Sequence, residues 1–223
     1  MPYHKFGKSH LWSVPVPAHR HLNPDDTMGG WVADTANVDA TVTVSKDSSI
    51  YGSAHIYGKV KVVGGSEVFE GAIVNGISGG VLIENRSKIH GEARIFHFAN
   101  IENSLVDKNA EISGKARVRN ESIVSGRAQI AENACLDGAE VNGCGYVCGN
   151  AYVQGRVRGN AQVGENAHIR PHARLSGNVK VGGNVTIYET SNLVTGVFYD
   201  DENPLLTDNA VKKLIELDDN IGF

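Results

Sequence analysis

From Val38 onward an aliphatic residue returns at every sixth position: Val38, Val44, Ile50, Ile56, Val62, Val68 and Val74. Four residues after each stands a small or β-branched residue: Val42, Ser48, Ala54, Val60, Ser66, Ala72. Gly76–Gly80 interrupts the pattern, which resumes at Ile83, Ile89, Ile95 and Ile101. It slips between Asn103 and Asp107, then runs through Ile112, Val118, Val124, Ile130 and Leu136. A second slip leads to Val141, Val147 and Val153, and a four-residue step to Val157 opens the last run, which ends at Leu193. A helix repeats its apolar face at three and four residues and an isolated strand at two. A period of six fits a short strand followed by a tight corner, the large aliphatic pointing inward from the strand and the small residue inward near the corner.

Gly and Asn recur between these positions, as in Gly52, Gly58, Gly64, Gly114, Gly149–Asn150 and Gly159–Asn160. They are the residues that accept positive φ most readily. Three such sides close a triangular coil of eighteen residues. Stacked coils pair their strands in parallel, so each coil satisfies the backbone groups of its neighbours and together they bury a core that one coil cannot. About nine coils at ~4.8 Å each give a column of about 43 Å. A β-sandwich would place its turns every 8–12 residues, which this chain does not. The expected fold is therefore all-β, a single-stranded parallel β-helix over 36–198. The period leaves the hand of the coil open; parallel crossovers are normally right-handed.

The ends depart from the repeat. Residues 1–35 hold four of the six prolines and four of the nine histidines, His4, His10, His19 and His21. Pro15-Val16-Pro17 excludes a helix. This reads as an extended N-terminal cap, with Trp31 placed to cover the open end of the core. Residues 199–223 form an acidic linker and a short helix, with Thr207-Asp208-Asn209 as its cap and Val211, Leu214 and Ile215 on one face.

Composition adds limits. Of 223 residues 41% are hydrophobic and 21% charged, which argues against wholesale disorder. The net charge is −4, concentrated in the C-terminal segment, so the body lacks the clustered basic surface that duplex nucleic acid needs. No apolar run reaches the ~18 residues of a membrane span. Three cysteines, Cys135, Cys144 and Cys148, make no disulfide framework, and a reducing cytoplasm is the expected location.

The unit [Leu/Ile/Val]-x-x-x-[Ser/Thr/Ala/Val]-x resembles the hexapeptide repeat of left-handed β-helix proteins, over about 160 of the 223 residues. That family (LpxA-like) is made mostly of trimeric acyltransferases, with γ-class carbonic anhydrases as a second branch. The resemblance implies a left-handed coil and a homotrimer. The bactofilin polymers use a similar repeat in a right-handed column. A narrower likeness rests on Asp26-Thr27-Met28-Gly29-Gly30-Trp31-Val32 ahead of the first hexad and on Gly149-Asn150-Ala151-Tyr152-Val153 and Gly159-Asn160-Ala161-Gln162-Val163. These are similar to YdcK-type hexapeptide proteins and to related phage and prophage proteins.

Candidate chemistry is sparse. An acyltransferase needs a histidine base, and the candidate nearest both irregular stretches is His97, two residues after Ile95 and so directed outward. CoA or acetyl-CoA is a cofactor only under that alternative; otherwise none is expected. His168-x-x-x-His172 does not have the spacing of the anhydrase metal site, and no metal is expected at His19-Arg20-His21 or Cys144-x-x-x-Cys148. Tyr51 and Phe69 lie eighteen residues apart, one place after inward aliphatics. They stack on one face, and His90 continues the column once three inserted residues are allowed for. Tyr57 and Phe96 fall on the adjoining face. Aligned exposed aromatics mark a contact surface, a subunit interface or a partner groove. Two classes of function follow: a non-catalytic structural or binding scaffold, or a CoA-dependent acyltransferase working at a trimer interface.

Overall fold

The computed structural model describes residues 2–6, 14–199 and, for the backbone, 205–206. Among these every regular element is a strand. The helix expected over 207–219, the linker residues 200–204 and His10 lie outside the described residues.

The described residues form thirty strands, most of them two or three residues long, and those from Met28 onward wind into a parallel β-solenoid of about nine turns. It is consistent with the left-handed β-helix the repeat resembles. Three faces run along it. Face 1 carries Trp31–Val32, Ser49–Ile50, Glu67–Val68 and Lys88–Ile89, and continues to Asn192–Leu193. Face 2 runs from Asn37–Val38 through His55–Ile56 and Ile73–Val74 to Val197–Phe198. Face 3 runs from Thr43–Val44 through Lys61–Val62 to Leu205–Leu206, the last pairing in parallel with Thr186–Ile187.

In the two-residue strands from Thr43–Val44 to Val197–Phe198 the second residue is the inward one. Ile50, Ile56, Val62, Ile83, Ile95, Ile112 and Leu136 are all fully buried in one continuous core. Burying such a side chain contributes about 1.5–3 kcal/mol, and the sixfold return of these residues drives the winding.

The three corners differ in their small buried residues. The corner from face 1 to face 2 uses Ala54, Ala72, Ala93, Ala110 and Ala128. The corner from face 2 to face 3 uses Val42, Val60 and Val81, then alanines from Ala99 to Ala167, and Val185. The corner from face 3 back to face 1 uses Ser48, Ser66, Ser87, Ser104 and Ser122. These serines stay buried because each finds partners. Ser122 Oγ donates to the Arg119 carbonyl at 2.6 Å and accepts from the Ala139 amide at 3.0 Å. The Ser48–Ser66 and Ser87–Ser104 steps repeat the upward bond.

Every irregularity in the repeat falls at a corner. Between Val74 and Ile83 three extra residues leave the column: Gly58 pairs with Gly76 but Val60 pairs with Val81. Three contractions, between Ile101 and Val106, Leu136 and Val141, and Val153 and Val157, lie at the corner from face 3 to face 1, and a further one, between Leu193 and Phe198, at the corner from face 1 to face 2.

The N-terminal segment caps the first coil. β1 (Tyr3–His4), β2 (Val16–Leu22) and β3 (Met28–Ala33) form an antiparallel arrangement whose last strand joins face 1. The open backbone of the first coil is then satisfied by side chains. His21 Nε2 donates to the Val42 carbonyl at 2.8 Å, Asn23 Oδ1 accepts from the Val44 amide at 2.8 Å, and Arg20 donates to the Lys46 carbonyl at 3.2 Å. An exposed parallel edge would otherwise invite another chain. Gly30 makes the approach feasible, since a Cβ there would stand 2.1 Å from the Ser48 carbonyl oxygen.

Trp31 does not cover the end of the core. Val32 is the inward residue of that strand, and strand alternation turns Trp31 to the outside. There it packs in a second, smaller cluster with Phe6, Ala18, Ala33 and Tyr51. No helix of the described residues is long and apolar enough to cross a membrane.

Candidate functional site

The aromatic column on face 1 is built by stacking in register. Tyr51 and Phe69 lie 4.8 Å apart with planes 7° from parallel, and Phe69 and His90 4.7 Å apart at 12°. The coil rise alone produces this contact. The outer end of the column is closed by the chain itself. Phe6, from the N-terminal arm, stacks on Tyr51 at 4.9 Å and is 1% exposed, leaving Tyr51 at 2%. Tyr51 is therefore interior to a small outer core and does not face solvent, because an arm distant in sequence folds back over it. Burial and the neighbouring Glu67 carboxylate, which accepts a bond from the Tyr51 hydroxyl at 3.2 Å, hold that phenol above its usual range.

The arm is fixed at a second point. His4 stacks on Trp31 at 4.4 Å, and the Arg20 guanidinium lies 4.7 Å from the Trp31 ring centre. Burial, with Arg20 nearby, pushes the His4 imidazole down. His90, at the inner end of the column, sits 3.6 Å from the Glu70 carboxylate.

Tyr57 and Phe96 lie on face 2, two coils apart, and do not stack. Asn75 lies between them in the ladder. Both are half-buried and flank the corner where the three extra residues emerge. That corner carries two exposed apolar side chains. Ile77, on the bulge, is 69% exposed. Phe98, one coil on, is 54% exposed and lays its ring against Gly79, where a Cβ would come within 2.8 Å of it. Neither residue stands out in the hexad pattern, since Phe98 is at a corner and Ile77 inside the interruption.

His97 stands at the same corner. It is exposed, its backbone is left-handed at φ 62°, and its Nδ1 lies 3.4 Å from the Gly114 amide, which donates to it. A recess of about 90 Å³ beside it is lined by Asn75, Ser78 and Phe96.

The remaining sequence candidates are dispersed. His19 is exposed and bonds Asp34 at 2.8 Å, whereas His21 is buried in the cap. His168 faces outward from face 3, and His172 stands at the next corner. Burial raises the thiols of Cys135 and Cys148.

One polar group has no signal in the hexad pattern. Asp137 on face 3 accepts from the Tyr152 hydroxyl, from Asn120 at 2.5 Å and from Arg119 at 3.2 Å. The Tyr152 hydrogen bond is the main cause that holds its carboxyl below the ordinary range. Only the coil register brings these four residues together, since Arg119 and Asn120, Asp137 and Tyr152 come from three successive coils.

A scan against protein-family models finds no match, and no curated protein matches the chain significantly.

Proposed function

We propose that the chain is a non-catalytic scaffold, a rigid column that works by presenting its surface to other protein chains, and that it assembles as a homotrimer. The bulged corner carries this reading. Ile77 and Phe98 stand exposed there, beside the half-buried Tyr57 and Phe96. Apolar side chains grouped on a protrusion mark a contact. Three copies around a closed cyclic axis would cover the bulge of each against its neighbour. A phage or prophage source, implied by the narrower resemblance, and a cytoplasmic location belong to the same reading.

The competing reading is acyl transfer from CoA at a subunit interface, with His97 as base. It is favoured by the position of His97 at the same bulge. The adjoining recess, about 90 Å³, is well below the ~300 Å³ of a small-molecule site, so a neighbouring subunit would have to supply most of the pocket.

Light scattering on the purified chain, with acetyl-CoA calorimetry on the same sample, separates the two. The scaffold reading expects a trimer that does not bind acetyl-CoA, and a monomer after Ile77→Asp. Micromolar acetyl-CoA binding at one site per subunit, with turnover lost in His97→Ala, would establish the transferase instead.

A further inference from the structure

We propose that the shortened part of the corner between face 3 and face 1 is a binding site for a small hydroxylated anion, a sugar acid or a sugar phosphate. Two successive corners contract there: Leu136 to Val141 takes five steps and Val153 to Val157 four, where six is the rule. The corners on either side keep full length, with Glu121 and His172 standing out in left-handed conformation at φ 62° and 67°. The edge of the column therefore recedes over two coils between two prominent lips. The result is a notch of about 370 Å³, within the range of small-molecule sites.

Its floor is kept low by residue size. Gly138, Ala139 and Gly155 line it where the earlier coils carry serine or larger residues. A Cβ on Gly155 would lie 2.5 Å from the Ala173 carbonyl oxygen, so no side chain can stand there without the corner moving.

The wall on face 1 is cationic. Arg156 and Arg174 are direct ladder partners in adjacent coils, so their Cα atoms sit about 4.8 Å apart. Like charges directly opposite in a sheet are unfavourable. The acid beneath them does not compensate both. Glu140 receives Arg158 at 2.7 and 2.8 Å on its two oxygens and the Arg156 Nε at 3.3 Å. With Asn142 Nδ2 also donating to it at 2.8 Å, the carboxylate faces four donor contacts. The outer nitrogens of Arg156 remain, and Arg174 has no acidic partner among the described residues.

Two guanidinium groups with unused donors at the edge of a concavity match an oxyanion, carboxylate or phosphate, which they can hold in paired bonds. Across the notch Glu121, an exposed acceptor, and Gln154 face the space where the rest of the ligand would lie. They suit hydroxyl groups, which is why a hydroxylated anion fits better than a bare one. The site is on a different corner from the bulge, so occupancy does not depend on the assembly proposed above.

Calorimetry on the full chain tests this with glucuronate, glucose 6-phosphate, inorganic phosphate and neutral glucose. The expected result is binding of glucuronate or glucose 6-phosphate in the micromolar to low millimolar range, with glucose at least tenfold weaker. Stronger glucuronate would assign a carboxylate ligand and stronger glucose 6-phosphate a phosphate one. Arg174→Gln should weaken the bound anion tenfold or more while leaving the melting temperature unchanged or slightly raised, since it removes a like-charge neighbour. Glu121→Gln should weaken the sugar anion and leave inorganic phosphate unaffected. Equal binding of glucose, no binding of either anion at 10 mM, or an unaltered affinity in a folded Arg174→Gln would overturn the proposal.

Discussion

Two corners of one column depart from the hexad in opposite directions. At Gly76–Gly80 the chain is three residues too long, and the excess leaves the column as an exposed apolar bulge. At Leu136–Val141 and Val153–Val157 it is one and two residues too short, and the edge sinks into a polar notch. The core between them is unaffected: Ile83, Val141 and Val157 all resume their inward places, fully buried. The inward aliphatics set the register, and the corners absorb the differences in length. Features with chemical character lie where the corners vary.

The largest effect should come from moving an insertion from corner to strand. One extra alanine between Glu111 and Ile112 would turn Ile112 outward and shift every later inward residue by one place. It should abolish the cooperative thermal transition seen by circular dichroism. Two residues inserted after Gln154 restore a six-residue step and should leave the transition within a few degrees of the parent.

The cap comes next. His21→Ala leaves the buried Val42 carbonyl without its donor and should cost about 1–3 kcal/mol in chemical unfolding. Ser122→Ala removes a buried hydroxyl bonded both to Arg119 and to the Ala139 amide and should cost about 1–2 kcal/mol. The same change at Ser125, an outward position, should cost under about 0.5 kcal/mol.

The smallest effect concerns pH. The carboxyl of Asp137 is lowered in the folded chain, chiefly by the Tyr152 hydroxyl. Its contribution is therefore fully present above the ordinary carboxylate value near 4 and is lost as pH falls through the lowered one. Unfolding titrations from pH 6 to 2 should show a shallower acid decline in Asp137→Asn than in the parent.

Much of the solenoid can be read from the spacing of Val38 through Leu193 alone, because a core that repeats every six residues admits few other windings. The stacking of Tyr51, Phe69 and His90 follows from the same count. What the count misses involves contacts that no local pattern carries. Phe6 reaches Tyr51 across forty-five positions, and Trp31 joins that outer cluster while Val32 takes the core. The Asp137–Tyr152–Arg119–Asn120 group and the face-to-face arginines of the notch depend on which coil lies above which. The breaks in the repeat are visible in the sequence at Gly76, Asn103 and Val153. That the contractions after Ile101, Leu136 and Val153 share one corner, and that the last two hollow out its edge, becomes visible only when the three faces are assigned.

The most direct test of the account is to remove the bulge. Deleting Ile77–Gly79 restores a six-residue step between Val74 and Ile83, and native mass spectrometry then reads the assembly of the 23.9 kDa chain. The account predicts a parent trimer, and a deletion variant that melts within a few degrees of it yet runs as a monomer. A variant that remains trimeric, or one that fails to fold, would contradict the claim that the core sets the winding and the bulged corner makes the contact.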